Sequence, residues 1–293
     1  MFQSFSRSYQ LVRHSWAVLK QDKEIMIFPV LSGFASLAVA ASFIIPLMLF
    51  GMHQSNQPPA PEGAARDTSV HIEAAWYAYT FLFYLVSYFF TIFFNVGVMH
   101  CASIRMNGGD PTVADGFKGA FGRIGAIFMW SLVSATVGMV LRAIAERAGL
   151  IGRIITSLLG VAWSILTYFA VPVMIFEGVG VGKSIKRSGE LIKKTWGEAL
   201  VAESGMGLFF GMLFFLGLIP IVLAVFLAAQ GSAGAMVAII VGAATVFYWI
   251  ALAVIAAALQ GIFHVALYRY ASTGQVPAGY PEELIARHWR PKS

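Results

Sequence analysis

The chain has 293 residues and a formal net charge of +6, with 58% hydrophobic residues and only 12% charged ones, about half the charge of an ordinary soluble domain. A mean hydropathy of +0.75 and a single cysteine, Cys101, exclude a water-soluble globular enzyme and a disulfide-built secreted domain. No compact basic module exists to grip nucleic acid, because the positive charge sits at the edges of apolar segments, where each base attracts anionic lipid by about 1 kcal/mol.

Residues 1–27 place Phe5, Tyr9, Val12, Trp16 and Leu19 on one helical stripe, with Arg7, Gln10, His14 and Lys20 on other sides. The spacing predicts an amphipathic helix in the membrane interface, with Trp16 at head-group level and Arg7 and Arg13 among phosphates. The polar and amphipathic stretch before the first span is too long, and that span longer than the roughly 7–15 residues of a signal peptide's apolar region, so the first span is expected to be a retained anchor. Six apolar stretches follow near 28–51, 74–102, 124–141, 154–176, 199–229 and 235–267. Each approaches the ~20 residues a helix needs to cross a roughly 30 Å hydrocarbon core. The predicted fold is an all-α integral membrane protein, one polytopic domain over residues 1–293 with six transmembrane helices.

Between the spans, segment 52–73 with Pro58, Pro59 and Pro61 reads as an extended external loop, and 271–293 as a cytoplasmic tail. Pro46, Pro172 and Pro220 are expected to kink the first, fourth and fifth spans. Gly207 and Gly211, and Ala253, Ala257 and Gly261, recur at intervals of four, a pattern that lets helix backbones approach closely. The short link 231–234 makes the last two spans an antiparallel hairpin. Arg142, Glu146 and Arg147 are spaced for pairing along one solvated helix end. Cys101 reads as a small apolar residue near a helix end.

Orientation follows from the bases. Placing the N-terminus in the cytoplasm puts 16 of the 20 Lys and Arg on that side and leaves Arg66, Arg142, Arg147 and Arg153 outside. Such a bias in short loops predicts both termini cytoplasmic.

An internal repeat accompanies this topology. Ser4, Arg7, Ser8, Leu11 and Trp16 coincide with Ser184, Arg187, Ser188, Leu191 and Trp196 at a shift of 180 positions. In the second copy Ile185, Ile192, Trp196 and Ala199 form the apolar stripe, beside Lys186, Arg187, Lys193 and Lys194. Segment 112–123 occupies the equivalent place before the third span. The chain therefore reads as three units, each an interfacial helix followed by two spans, a kind of repeat common in transporters.

The opening Phe5-Ser6-Arg7-Ser8, with Leu11, Trp16, Asp22-Lys23-Glu24, Phe28-Pro29 and Ser32-Gly33, resembles an uncharacterised family of six-span prokaryotic membrane proteins. More distantly, the plan of a helix followed by a hairpin is similar to the membrane domain attached to some glycerophosphodiester phosphodiesterases. The resemblance implies the fold and the cytoplasmic (inner) membrane of a prokaryote. It implies no activity, catalytic residue or cofactor.

Asn95, His100, Glu203, Gln260 and His264 fall within spans, where ionisable and polar groups are costly, and Glu177 closes the fourth. Two readings apply: a vestibule open to the cytoplasm that binds a cation or passes protons, or hydrogen bonding between helices at ~0.6 kcal/mol per pair. A zinc site wants three or four tightly placed ligands, so no metal is expected. Gly178–Ser184 looks like a phosphate loop but has Glu177 where the first glycine belongs, and a span precedes it instead of a strand. Those glycines read as a flexible link. Glu282-Glu283 with Arg287 fits a membrane-protease signature, yet no histidine motif follows on later spans. The expected function is thus non-enzymatic organisation of anionic lipids or of protein partners, a second copy included, through the basic interfacial helices. The alternative is a small-solute or proton-coupled transporter or channel.

Overall fold

The computed structural model describes residues 2–55, 65–194, 198–229 and 231–276, with the side chains of 2–11, 50–55, 65–74, 151, 198–204 and 233 outside the description. Helices make up nearly all of it, and no strand occurs among the described residues. In chain order they are α1 (Phe2–Gln21), a short 3₁₀ turn (Lys23–Met26), α2 (Ile27–Ser55), α3 (Ala65–Met106), α4 (Val113–Phe121), α5 (Ile124–Arg147), α6 (Gly149–Leu166), α7 (Ala170–Phe176), α8 (Val181–Lys194), α9 (Glu198–Leu216), α10 (Leu218–Ala228) and α11 (Ser232–Thr273). Among the described residues six segments are long and apolar enough to cross a bilayer: Lys23–Leu49, Ala75–Met106, Ile124–Arg147, Gly152–Phe176, Gly205–Ala228 and Gly234–Thr273.

Two helices are longer than a bilayer requires. α3 and α11 have 42 residues each, and at 1.5 Å per residue such a helix measures about 63 Å, twice the hydrocarbon thickness. Burial shows how the excess is used. Along α11 the exposed large apolar side chains run from Met236 to Ile250, whereas Leu259, Ile262, Phe263, Val265 and Leu267 are buried in protein. Along α3 they run from Trp76 to Tyr88, and Val98, Met99, Cys101, Ala102 and Met106 are buried. One stretch of each helix faces outward as an apolar belt, and the other builds a protein core.

The residues divide into two compact units, one of Met1–Val30, Gly97–Lys118 and Gly189–Ser293, the other of Leu31–Val96 and Gly119–Ser188. In the first unit α10 and α11 pack as the expected hairpin, and α1 packs against α9 and α11. Gly261 lets α11 approach α3, since a Cβ there would stand 2.6 Å from Val98 Cγ1. Gly207 and Gly211 have nothing within 4 Å of a Cβ, so that pair does not bring its helix against another. In the second unit α5 packs on α6 and α7. Trp130 and Trp163 stack with centroids 6.4 Å apart, and Ala170 and Met174 complete the cluster.

Proline acts differently at its three positions. α2 continues unbroken through Pro46. The fourth span breaks between α6 and α7, with Pro172 in the first turn of α7, a position that tolerates a missing N–H. At that break the Phe169 N–H donates to Ser188 Oγ at 2.9 Å. The fifth span breaks at Gly217, three residues before Pro220. There the Tyr248 hydroxyl donates to the Leu213 carbonyl at 2.7 Å and Trp249 Nε1 to the Phe214 carbonyl at 3.2 Å. Side chains thus satisfy backbone groups at both breaks, Ser188 as acceptor at the first and Tyr248 and Trp249 as donors at the second.

Candidate functional site: the charged end of the first unit

Beyond the belt, the ends of α3 and α11 meet the junction between α1 and α2. Asp22 and Glu24 are the only acids in the first 61 residues, and each fastens this junction to another segment. Asp22 is 5% exposed. Arg105 at the end of α3 donates to both of its carboxylate oxygens, from Nε and Nη2, and Nη2 also reaches Asp110. Glu24 accepts the Val113 N–H at 3.3 Å, at the start of α4. That helix starts from a reciprocal cap: Asp115 N–H donates to Thr112 Oγ1 at 3.2 Å, and Thr112 N–H to Asp115 Oδ2 at 3.0 Å. The Thr112 hydroxyl, then its backbone N–H, hold the Asp115 carboxyl below the usual carboxylate range.

Phe28 is the apolar counterpart of these bonds. It is fully buried against Gly97 and Gly116, where any Cβ would collide with its ring. Phe117 lies 5.3 Å from it, centroid to centroid. Cys101 is buried as expected, its thiol 3.5 Å from the Thr112 carbonyl. Arg269 of α11 joins the cluster by donating from Nη2 to Asn107 Oδ1 at 2.6 Å. Its Nη1 is buried without a hydrogen-bond partner among the described residues.

The two amphipathic helices present their charge outward. In α1 Val12, Ser15, Val18 and Leu19 are buried, while Arg13 and Lys20 are exposed. Trp16 is half-buried with Lys20 Nζ 5.9 Å from its ring centroid, so the buried face is rotated from the stripe expected in sequence. In α8 Ser184, Ser188, Leu191 and Ile192 are buried, and Lys183, Lys186, Lys193 and Lys194 are exposed. Arg187 is half-buried and pairs with Glu177 at 3.4 Å. The Arg7 side chain and Trp196 lie outside the described residues.

The polar residues expected inside spans are divided between the two units. Gln260 stands exposed and His264 half-buried on α11, ten or more positions past the last belt residue, Ile250. At 1.5 Å per residue that is about 15 Å further along the helix. His100 is half-buried on α3 in the same unit, and Asn95 is exposed on α3 in the other. The Glu203 side chain lies outside the described residues. Among the described residues no group of three or more His, Cys, Asp or Glu could hold a metal ion. The residues that do converge, Asp22, Arg105, Asn107 and Arg269, escaped sequence reasoning. Their one signal was a pair of acids inside an otherwise basic N-terminal segment.

Six bilayer-length apolar segments among the described residues define a polytopic membrane protein. The chain belongs to a family of unknown function, DUF6159, whose model matches residues 74–278. That stretch begins after every residue that carries the N-terminal resemblance. No curated protein and no solved structure matches the chain.

Proposed function

We propose that the protein is a non-enzymatic component of a prokaryotic cytoplasmic membrane, both termini inside, that gathers anionic lipid at its basic helices. One observation carries this reading. α1 buries Val12, Val18 and Leu19, α8 buries Leu191 and Ile192, and the two leave Arg13, Lys20, Lys183, Lys186, Lys193 and Lys194 exposed on helices that neighbour membrane spans in sequence. Bases so placed attract anionic head groups by about 1 kcal/mol each, and salt screens the attraction. The Asp22–Arg105 and Glu24–Val113 bonds tie the junction after α1 to α3 and α4, which gives the basic surface a rigid base.

The test is thermal unfolding of the detergent-purified protein with added phosphatidylglycerol or phosphatidylcholine, at low and high salt. The anionic lipid should stabilise more, less so in high salt, and less again after Arg13, Lys186, Lys193 and Lys194 are changed to Gln. Equal stabilisation by both lipids at every salt concentration would refute the role.

The broken fourth and fifth spans favour a second reading, transport, because discontinuous helices often line substrate sites. The side-chain partners at both breaks weigh against it, since Ser188 takes up the Phe169 N–H and Tyr248 and Trp249 take up the Leu213 and Phe214 carbonyls, backbone groups a substrate would use. Solute and proton flux in proteoliposomes separates the two.

A further inference from the structure

In the second unit a groove of about 180 Å³ opens between α2, α3 and the C-terminal turns of α5. Phe43 and Leu47 line it from α2, Tyr79, Phe83 and Tyr84 from α3, and Arg142 from α5. Pockets that enclose a compact solute measure about 300–1,000 Å³. This one is smaller and open along its side, so it suits a slender chain lying against the protein. Its floor is aromatic: Phe43 packs on Tyr79 and Phe83 at 5.1 and 5.4 Å. The Tyr79 hydroxyl is already engaged by the Phe43 carbonyl, which leaves that wall apolar.

Arg142 lines the rim, and Glu146 stands beside it, one helical turn further along α5. Arg142 Nε donates to Glu146 Oε1 at 2.8 Å and Nη1 to the Tyr84 hydroxyl oxygen at 3.2 Å. The two charged side chains are 46% and 47% exposed, so both can meet a ligand. A guanidinium has five N–H donors, and most of Arg142's are unengaged among the described residues. Tyr84, accepting from Arg142, keeps its own proton to donate.

We propose that this groove seats one phospholipid with a zwitterionic, primary-amine head group. Its acyl chain lies along Phe43, Leu47 and Phe83, its phosphate accepts from Arg142 and Tyr84, and its ammonium donates to Glu146. Charge complementarity selects this occupant. An anionic head group would set its negative charge against Glu146, and a simple cation would meet Arg142. A head group with both charges satisfies both residues at once. A quaternary ammonium has no N–H for Glu146, so the primary amine is the better fit. Trp76, stacked on Tyr79 at 6.4 Å, supplies the kind of ring that favours head-group level. This proposal does not depend on the role of the basic helices.

The experiment reconstitutes the full chain in equal parts phosphatidylethanolamine and phosphatidylglycerol, extracts it gently, and counts retained lipids by native mass spectrometry. The ethanolamine lipid should be retained in preference. Glu146→Gln should reduce that preference about two- to fivefold, the range that exposed ion pairs produce. Arg142→Gln should lower retention of both lipids. Arg153→Gln, an exposed arginine that does not line the groove, should change nothing. Preferential retention of the glycerol lipid, a ratio indifferent to Glu146→Gln and Arg142→Gln, or an equal shift from Arg153→Gln would each overturn the proposal.

Discussion

Arg105 holds Asp22 through both carboxylate oxygens across 83 positions of sequence, and so ties the junction after α1 to the end of α3. The Asp22 side chain is 4% exposed and that of Arg105 21%. A carboxylate this deep loses several kcal/mol of hydration, recovered only through well-placed charged donors. The fork of the guanidinium supplies two of them in one plane. Asp110, 91% exposed, takes a further bond at the wet edge of the pair.

Removing one partner should therefore cost more than removing the pair. Asp22→Ala or Arg105→Ala is expected to destabilise the protein by about 3 kcal/mol, the lower part of the range for a broken buried pair, since Arg105 retains some contact with water. The double variant should lose clearly less than the sum of the singles. Asp110→Ala should stay under about 1 kcal/mol, as exposed pairs do. Thermal or denaturant unfolding of all four variants checks the pattern, and strictly additive losses would show that the two residues act independently.

A second expectation concerns the break in the fifth span. A Cβ on Gly217 would run into Trp249 Nε1 and come within 3.0 Å of Tyr248 Cε1. The Trp249 ring stacks on Phe214 with centroids 5.0 Å apart, so it has little room to retreat. Gly217→Ala should cost about 1–3 kcal/mol as an overpacked site. Trp249→Ala in the same chain should relieve the clash, leaving Gly217→Ala nearly silent in that background. Equal effects of Gly217→Ala in both backgrounds would place its cost in the backbone and not in this contact.

The six spans were legible because a bilayer demands one thing of a span, sustained apolarity, and that is a property of composition. Where the spans end was less legible. Ile262 and Phe263 are as apolar as Ile239 and Ile240, yet the first two fill a protein core and the others face outward. Hydropathy cannot tell a lipid-facing residue from a core residue. The repeat at 184–196 showed an amphipathic helix, but of its expected stripe Ile192 is buried and Ile185 only half-buried, and the buried face runs through Ser184, Ser188 and Leu191. It could not show that Ser188 serves the break in the fourth span, because that contact depends on tertiary placement. Gly207, Gly211 and Gly261 all carried the small-residue spacing, yet a Cβ would have nothing within 4 Å at the first two and would collide with Val98 at the third. The Asp22–Arg105 pair has no periodicity to betray it at all.

Acid should loosen the start of α4. The Asp115 carboxyl is held below the usual range by the Thr112 hydroxyl and backbone N–H, so the folded state prefers its charged form. Its stabilising contribution is complete above the unfolded value of about 4 and is lost as pH falls through the lowered folded value. Amide exchange over residues 110–118, corrected for intrinsic rates, should quicken relative to the rest of the chain at acidic pH. Asp115→Asn and Thr112→Ala should make this segment fast at neutral pH and remove most of the further acid effect. Unchanged local exchange in both variants would mean that the cap does not hold the helix start.

The sharpest packing test lies at Phe28. The ring is fully buried between Gly97 and Gly116, with Cys101 Sγ also at the Gly116 side. Truncation to Ala removes its packing and leaves a cavity, a loss of about 3–5 kcal/mol for a buried phenylalanine. Gly116→Ala attacks the same contact from the other side, because the new methyl would overlap the end of the ring, and should cost about 1–3 kcal/mol. The informative variant combines Gly116→Ala with Phe28→Leu, whose shorter side chain vacates the space the methyl needs. That double variant should be more stable than the two single losses added together imply. Unfolding midpoints of the three proteins decide the matter: simple additivity would separate Phe28 from Gly116, and a positive coupling would confirm that the ring joins the start of α2 to α4.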